Sequence, residues 1–171
     1  MSMSDTFHVE PRGDLEIYIT RGFDAPRELV WKAMTTPELV RRWLYAPEGW
    51  EMTVCEGEIK VGGRYRWAWN GPDGKPALEI SGENTVVEPP AKLVHTEAMK
   101  MWGPGFPKEG MNLGELLATM TLTEEDGRTT MEMVLAFASK EARDGALASG
   151  MAQGMSAGYL NLDAMLEEDA L

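Results

Sequence analysis

The chain has 171 residues, and its 28 acidic against 16 basic side chains give a net charge of −12 and a pI near 4.6. This length suits one domain that buries roughly 70% of its unfolded surface, and the charge opposes binding to a nucleic-acid backbone. One cysteine and two histidines allow no internal disulfide and no recognisable zinc spacing, so neither metal nor cofactor is expected. The absence of a signal-like apolar stretch, or of an apolar run of about eighteen residues, points to the cytoplasm and to no membrane partner.

Met1 to Gly13 shows no hydrophobic period. It is expected to be a flexible segment ahead of a single domain spanning 14–171. From Asp14 to Gly22, Leu15, Ile17 and Ile19 alternate with polar neighbours, which predicts a half-buried strand. Pro26 then suits the first turn of a helix carrying Leu29, Val30, Ala33 and Met34 on one side, and Thr36-Pro37 starts a second, shorter helix through Trp43.

Six further strands are predicted at Met52–Glu56, Gly63–Asn70, Ala77–Val87, Lys92–Met99, Glu115–Thr123 and Thr129–Phe137. Short clusters such as Asn70-Gly71-Pro72-Asp73-Gly74 and Glu125-Asp126-Gly127 separate them, as in an antiparallel meander. Met101 to Gly114 is the one long irregular stretch, and it carries Trp102, Phe106 and Met111. It reads either as a lid over a pocket or as packing against the sheet edge. Ser139 to Leu166 reads as one long amphipathic helix, capped by Ser139, with Leu147, Met151, Met155, Tyr159, Leu162 and Leu166 on its apolar stripe. Gly150, Gly154 and Gly158 edge that stripe. They serve either close helix packing or a wall left thin for a ligand.

These elements predict an α+β fold in which a seven-stranded antiparallel sheet curls around the final helix, the one helix long enough to cover its apolar face. The run FDAPRELVWKAMTTPELVRRWL, followed by VGGRYRW, GPDG, VVEPPAKLVHTE, EEDG and RDGALASGMAQGMSAGYLNLDAML, resembles the START-related helix-grip superfamily (SRPBCC). More narrowly it is similar to the branch of activator of heat-shock-protein-90 ATPase homologue 1-like proteins. The resemblance spans about Asp14 to Leu166. It implies the same helix-grip fold, with two short helices between strands one and two and a hydrophobic cavity between sheet and C-terminal helix.

Tyr65, Trp67 and Trp69 share one strand face, with Arg64 and Arg66 on the other. The aromatic face is either core or one wall of the cavity. His95 and Glu97 stand two apart in LVHTEAM, so they form either a solvent-side ion pair or an acid/base couple lining the cavity. Asn84 interrupts an otherwise apolar face and is either a buried amide with a partner or a polar anchor for a ligand. Cys55 reads as a small buried hydrophobe with no catalytic role.

The leading expectation is binding of a small, largely hydrophobic molecule, with Tyr65, Trp67, Trp69, Trp102, Phe106, Met151, Met155 and Tyr159 giving contact area and His95 and Asn84 fixing polar ends. A polyketide cyclase or dehydrase-like enzyme using His95 and Glu97 is the alternative that the superfamily resemblance implies. The branch name implies a third, a regulator of a chaperone ATPase or another interaction module. The chain is expected to be a monomer or a homodimer.

Overall fold

The computed structural model describes residues 2–168. Its strands are β1 (His8–Arg12), β2 (Glu16–Phe23), β3 (Glu51–Gly57), β4 (Arg64–Asn70), β5 (Pro76–Glu88), β6 (Lys92–Met101), β7 (Met111–Glu125) and β8 (Arg128–Phe137). Its helices are α1 (Arg27–Thr35), α2 (Pro37–Trp43), α3 (Lys140–Ala148) and α4 (Met151–Glu167). All strands join one antiparallel sheet in the order β1-β2-β8-β7-β6-β5-β4-β3, and helices cover its concave, apolar side. This is the expected α+β helix-grip architecture.

Period-two patterning places Ile17, Ile19 and Phe23 of β2 inward, where they meet Val30 and Ala33 of α1, Leu122 of β7, Met131 of β8 and Leu162 of α4. Each of these side chains is at most 1% exposed. A fully buried large apolar side chain contributes about 1.5–3 kcal/mol, so truncation of Leu162, at the centre of the α4 face, would cost about 2–5 kcal/mol. Pro26 caps α1 and Pro37 opens α2. The indole of Trp43 donates to the carbonyl of Ala33 (2.9 Å), locking the two short helices together.

Three expectations are corrected. The sheet has eight strands, because the segment read as flexible forms a short 3-10 turn (Met3–Thr6) and then β1, which pairs along β2. Backbone pairing holds this segment; its burial is too slight to leave an apolar period. Leu15 is 44% exposed at the β1–β2 turn rather than inside the strand.

The last helix is not continuous either. Gly150 adopts φ 81° and ψ 13° between α3 and α4, a left-handed conformation in which glycine ends a helix without the steric penalty of a Cβ. The break lets each half satisfy a different surface. Arg143 of α3, 5% exposed, donates to the carbonyls of Gly13 (2.9 Å) and Glu16 (3.0 Å) and so grips the β1–β2 turn. Meanwhile α4 lies over the sheet with Tyr159, Leu162 and Met165 buried. Gly154 and Gly158 face Tyr45 and the Trp43 backbone, and Asn161 donates to the Trp43 carbonyl (3.2 Å). The glycine edge thus admits the chain leaving α2, a close approach of backbone to helix.

Candidate functional site

Between the helices and the sheet lies a cavity of about 110 Å³. Met34 and Thr35 of α1, with Pro37, Val40 and Trp43 of α2, form one wall. The sheet supplies Tyr65 and Trp67 of β4, Asn84 of β5, Leu93 and His95 of β6, Met120 of β7 and Met133 of β8, and Tyr159 of α4 closes the end. A mouth is framed by Glu56, Gly57 and Ile59. A larger hollow of about 570 Å³ lies beside the N-terminal turn, lined by Thr6, Thr20, Glu125, Asp126, Thr130 and others. Most of its lining residues are Thr, Asp, Glu or Arg, and Arg21, its most buried charge, is already bound to Asp163. The smaller, apolar cavity is therefore the candidate site.

Backbone geometry sets the sheet wall. Tyr65 is paired across the sheet with Gly82, and its ring crosses that glycine to donate a hydrogen bond to the Thr96 carbonyl on β6 (2.8 Å). A Cβ at Gly82 would collide with both the Thr96 carbonyl and the Tyr65 ring. The ring then meets His95 edge-on, with centroids 5.3 Å apart at 86°, and packs on Trp67 at 5.2 Å. His95 is thus held by an aromatic neighbour, which offers no acceptor in the plane of the imidazole. Among the described residues Nδ1 of His95 is buried without a hydrogen-bond partner, and Nε2 stands 4.0 Å from Oε1 of Glu97, too far for a direct hydrogen bond. An imidazole that lines an apolar cavity with neither nitrogen bonded to protein is polar capacity held in reserve.

Asn84, 1% exposed, has its amide explained by the fold. Nδ2 donates to the Glu58 carbonyl (2.8 Å), the Asn84 N–H donates to the Gly63 carbonyl (2.8 Å), and the Gly62 N–H donates back to the Asn84 carbonyl (2.8 Å). Those bonds pin the β3–β4 connection that presents Ile59 to the cavity. Electrostatically the site is uncharged inside. Burial pushes the phenols of Tyr65 and Tyr159 far up, so both remain protonated donors. Among the described residues no Lys or Arg lines the cavity, and the one acidic side chain that does, Glu56, is exposed at the mouth.

Of the residues expected to bind a ligand, the structure brings Tyr65, Trp67, Asn84, His95 and Tyr159 together around the cavity. Trp69 is buried but does not line it, and Met151 and Met155 pack against the core nearer the start of α4. Trp102 and Phe106 also stand apart. β7 starts at Met111, which shortens the expected lid to Trp102–Gly110, and Trp102 packs beside Lys100 and Gly110, on the connection between β6 and β7. Glu97 reaches the site only through His95. Sequence reading missed the helical wall. The apolar side of α1 was visible, but the facing of Met34, Val40 and Trp43 onto Met120 and Met133 depends on tertiary packing. Cys55 lies on β3, its thiol donating to the Pro37 carbonyl (3.3 Å) and pushed up by burial.

Among the described residues no group of three or more His, Cys, Asp or Glu side chains converges on a point, and no helix is long and apolar enough to cross a membrane. Similar folds occur in solved structures of bacterial proteins. One from Rhodobacter sphaeroides has 35% identity over 96% of this chain and 99% of its own, with a TM-score of 0.84. A solution structure from Arthrobacter aurescens has 28% identity, 94% and 91% coverage, and a TM-score of 0.77. A Mycobacterium smegmatis protein has 26% identity, 94% and 96% coverage, and a TM-score of 0.75. Nothing among curated proteins matches the chain. The family model described as "Activator of Hsp90 ATPase homolog 1-like protein" matches residues 24–167, the whole span from α1 to the end of α4, and the chain belongs to that family.

Proposed function

We propose that the protein binds a small, largely apolar molecule in the cavity between sheet and helices. The observation that carries this reading is His95: an imidazole on an apolar wall, Nδ1 buried without a partner and Nε2 4.0 Å from the nearest carboxylate. A buried polar atom without a partner costs about 1–3 kcal/mol, a cost that a ligand atom would offset once the imidazole turns to present that nitrogen to the cavity. Native mass spectrometry of the purified protein, followed by organic extraction, tests it. The expected result is a small molecule of defined mass that is absent from Met133→Trp, whose indole fills the cavity. If wild type carries no such mass and no apolar compound from a screening set binds saturably, the reading is wrong.

The spacing of His95 and Glu97 supports a second reading, proton transfer of the cyclase or dehydrase kind. At 4.0 Å the two groups leave a gap that a substrate atom or a water can bridge. Loss of turnover in both His95→Gln and Glu97→Gln, with ligand binding retained, would favour it over binding alone. The family description supports a third, regulation of a chaperone ATPase. Unchanged ATPase rate of the chaperone with added protein would retire that one.

A further inference from the structure

We infer that the ligand class is a compact, neutral molecule about the size of one six-membered ring, carrying a single hydroxyl or carbonyl oxygen; this rests on the ligand-binding reading above. Size comes first. The cavity measures about 110 Å³, and an apolar cavity of about 150 Å³ suffices for benzene, so one ring fits after a slight outward adjustment, while a fused ring system exceeds the space and an extended acyl chain would have to run out through the mouth into solvent. The methionine walls supply that adjustment, because Met34, Met120 and Met133 can change rotamer at low cost.

Shape follows from the same walls. Trp43 and Tyr159 stack at 6.0 Å and 29°, while Tyr65 and Trp67 face the site from β4. Aromatic side chains on two sides favour a planar ring over a branched aliphatic one.

Charge decides the rest. A carboxylate or phosphate entering this site would find no Lys or Arg to receive it, with Glu56 at the mouth and Glu97 near His95 adding repulsion. A cation would lose its hydration inside walls of Trp, Met, Val and Leu, and the nearby carboxylates, Glu56 exposed at the mouth and Glu97 behind His95, do not line the interior to pair with it directly. A neutral oxygen meets neither penalty. It can bond an imidazole nitrogen of His95 in either direction, and the protonated Tyr159 phenol is a further donor.

Isothermal titration with phenol, benzyl alcohol, benzoate, 2-naphthol and decanol tests the assignment on the full chain. Phenol and benzyl alcohol are expected to bind at one site, at least about tenfold more tightly than benzoate, naphthol or decanol. His95→Phe and His95→Gln should each fold, as followed by circular dichroism, and His95→Phe should lose about tenfold in phenol affinity, the weight of one hydrogen bond. Glutamine restores a donor and an acceptor and should recover part of that loss. If benzoate or decanol binds best and Met133→Trp still blocks it, the class is wrong while the ligand-binding reading stands. If none of the compounds, nor any other apolar probe, binds saturably, both fall.

Discussion

Arg21 and Asp163, 142 residues apart, form a bidentate ion pair with contacts of 2.6 and 2.7 Å that ties β2 to α4. The guanidinium is 2% exposed, lies 4.8 Å from the Phe23 ring, and keeps one nitrogen, Nε, without a partner. Removing Asp163 would leave a buried cation with only the Gly22 carbonyl as acceptor. Because the Asp163 side chain is itself 24% exposed, Asp163→Ala should destabilise by about 3 kcal/mol, the low end for breaking a buried pair. Replacing both partners, as Arg21→Met with Asp163→Leu, should restore most of the loss. Urea unfolding of the wild type and these two variants measures this; equal losses in the single and double variants would mean that packing, not charge, governs the site.

Gly82 admits the Tyr65 ring, and its replacement forces backbone and ring apart. Gly82→Ala should cost at least about 2 kcal/mol. Tyr65→Phe removes only the hydrogen bond to Thr96 and should cost about 1 kcal/mol. Thermal melts of the two proteins rank them, and the opposite order would show that the strand yields to the added methyl.

Alkaline pH should destabilise the fold through its buried phenols. The folded state raises the values of Tyr65 and Tyr159, chiefly by burial and secondarily by the charge of Glu97 for Tyr65, with Arg21 opposing the rise for Tyr159. Below the ordinary phenol value of about 10 both folded and unfolded chains hold these protons, so the two groups give no pH dependence. Above it the unfolded chain releases protons that the fold retains, and stability falls as pH rises toward the folded values. Tyr159→Phe should flatten this slope. Denaturant midpoints across the alkaline range, with tyrosinate absorbance, check it.

Asn84 anchors the β3–β4 connection with one side-chain and two backbone hydrogen bonds. Asn84→Leu keeps the bulk and the backbone bonds but loses the Glu58 contact, at a cost of about 1–3 kcal/mol. Hydrogen exchange at Gly62 and Gly63 should accelerate more than exchange in β7. Uniform acceleration throughout the sheet would assign Asn84 to global stability instead.

The helices α1 and α2 and six of the seven predicted strands kept their approximate limits, because proline at helix starts and alternating side chains are local signals. β7 starts four residues early, at Met111, because pairing with Met101 and Lys100 of β6 extends it past a register shift. The break at Gly150 was hidden for a related reason. The apolar repeat runs from Leu147 through Met151 without interruption, while the left-handed glycine between them responds to the different docking of α3 and α4. At the site, Tyr65, Trp67 and His95 were legible as strand faces. Trp102 and Phe106 were misleading, since aromatic content in a loop does not reveal which end of the sheet it joins. The ion pair of Arg21 was the least legible of all, for alternation sets the arginine inward but says nothing of a carboxylate on the last helix.

β1 gives the N-terminal segment a role in colloidal behaviour. Sheet edges are templates for pairing with other chains, and proteins blunt them with charge and proline. His8-Val9-Glu10-Pro11-Arg12 has both, with Glu10 bound to His8 (3.1 Å) and Arg12 (3.4 Å). Behind it, β2 is longer, eight residues against five, and the edge it turns toward β1 is covered by that pairing. A chain trimmed to begin after Arg12 would present that edge to its neighbours, and light scattering should show it aggregating at concentrations at which the full chain stays dispersed.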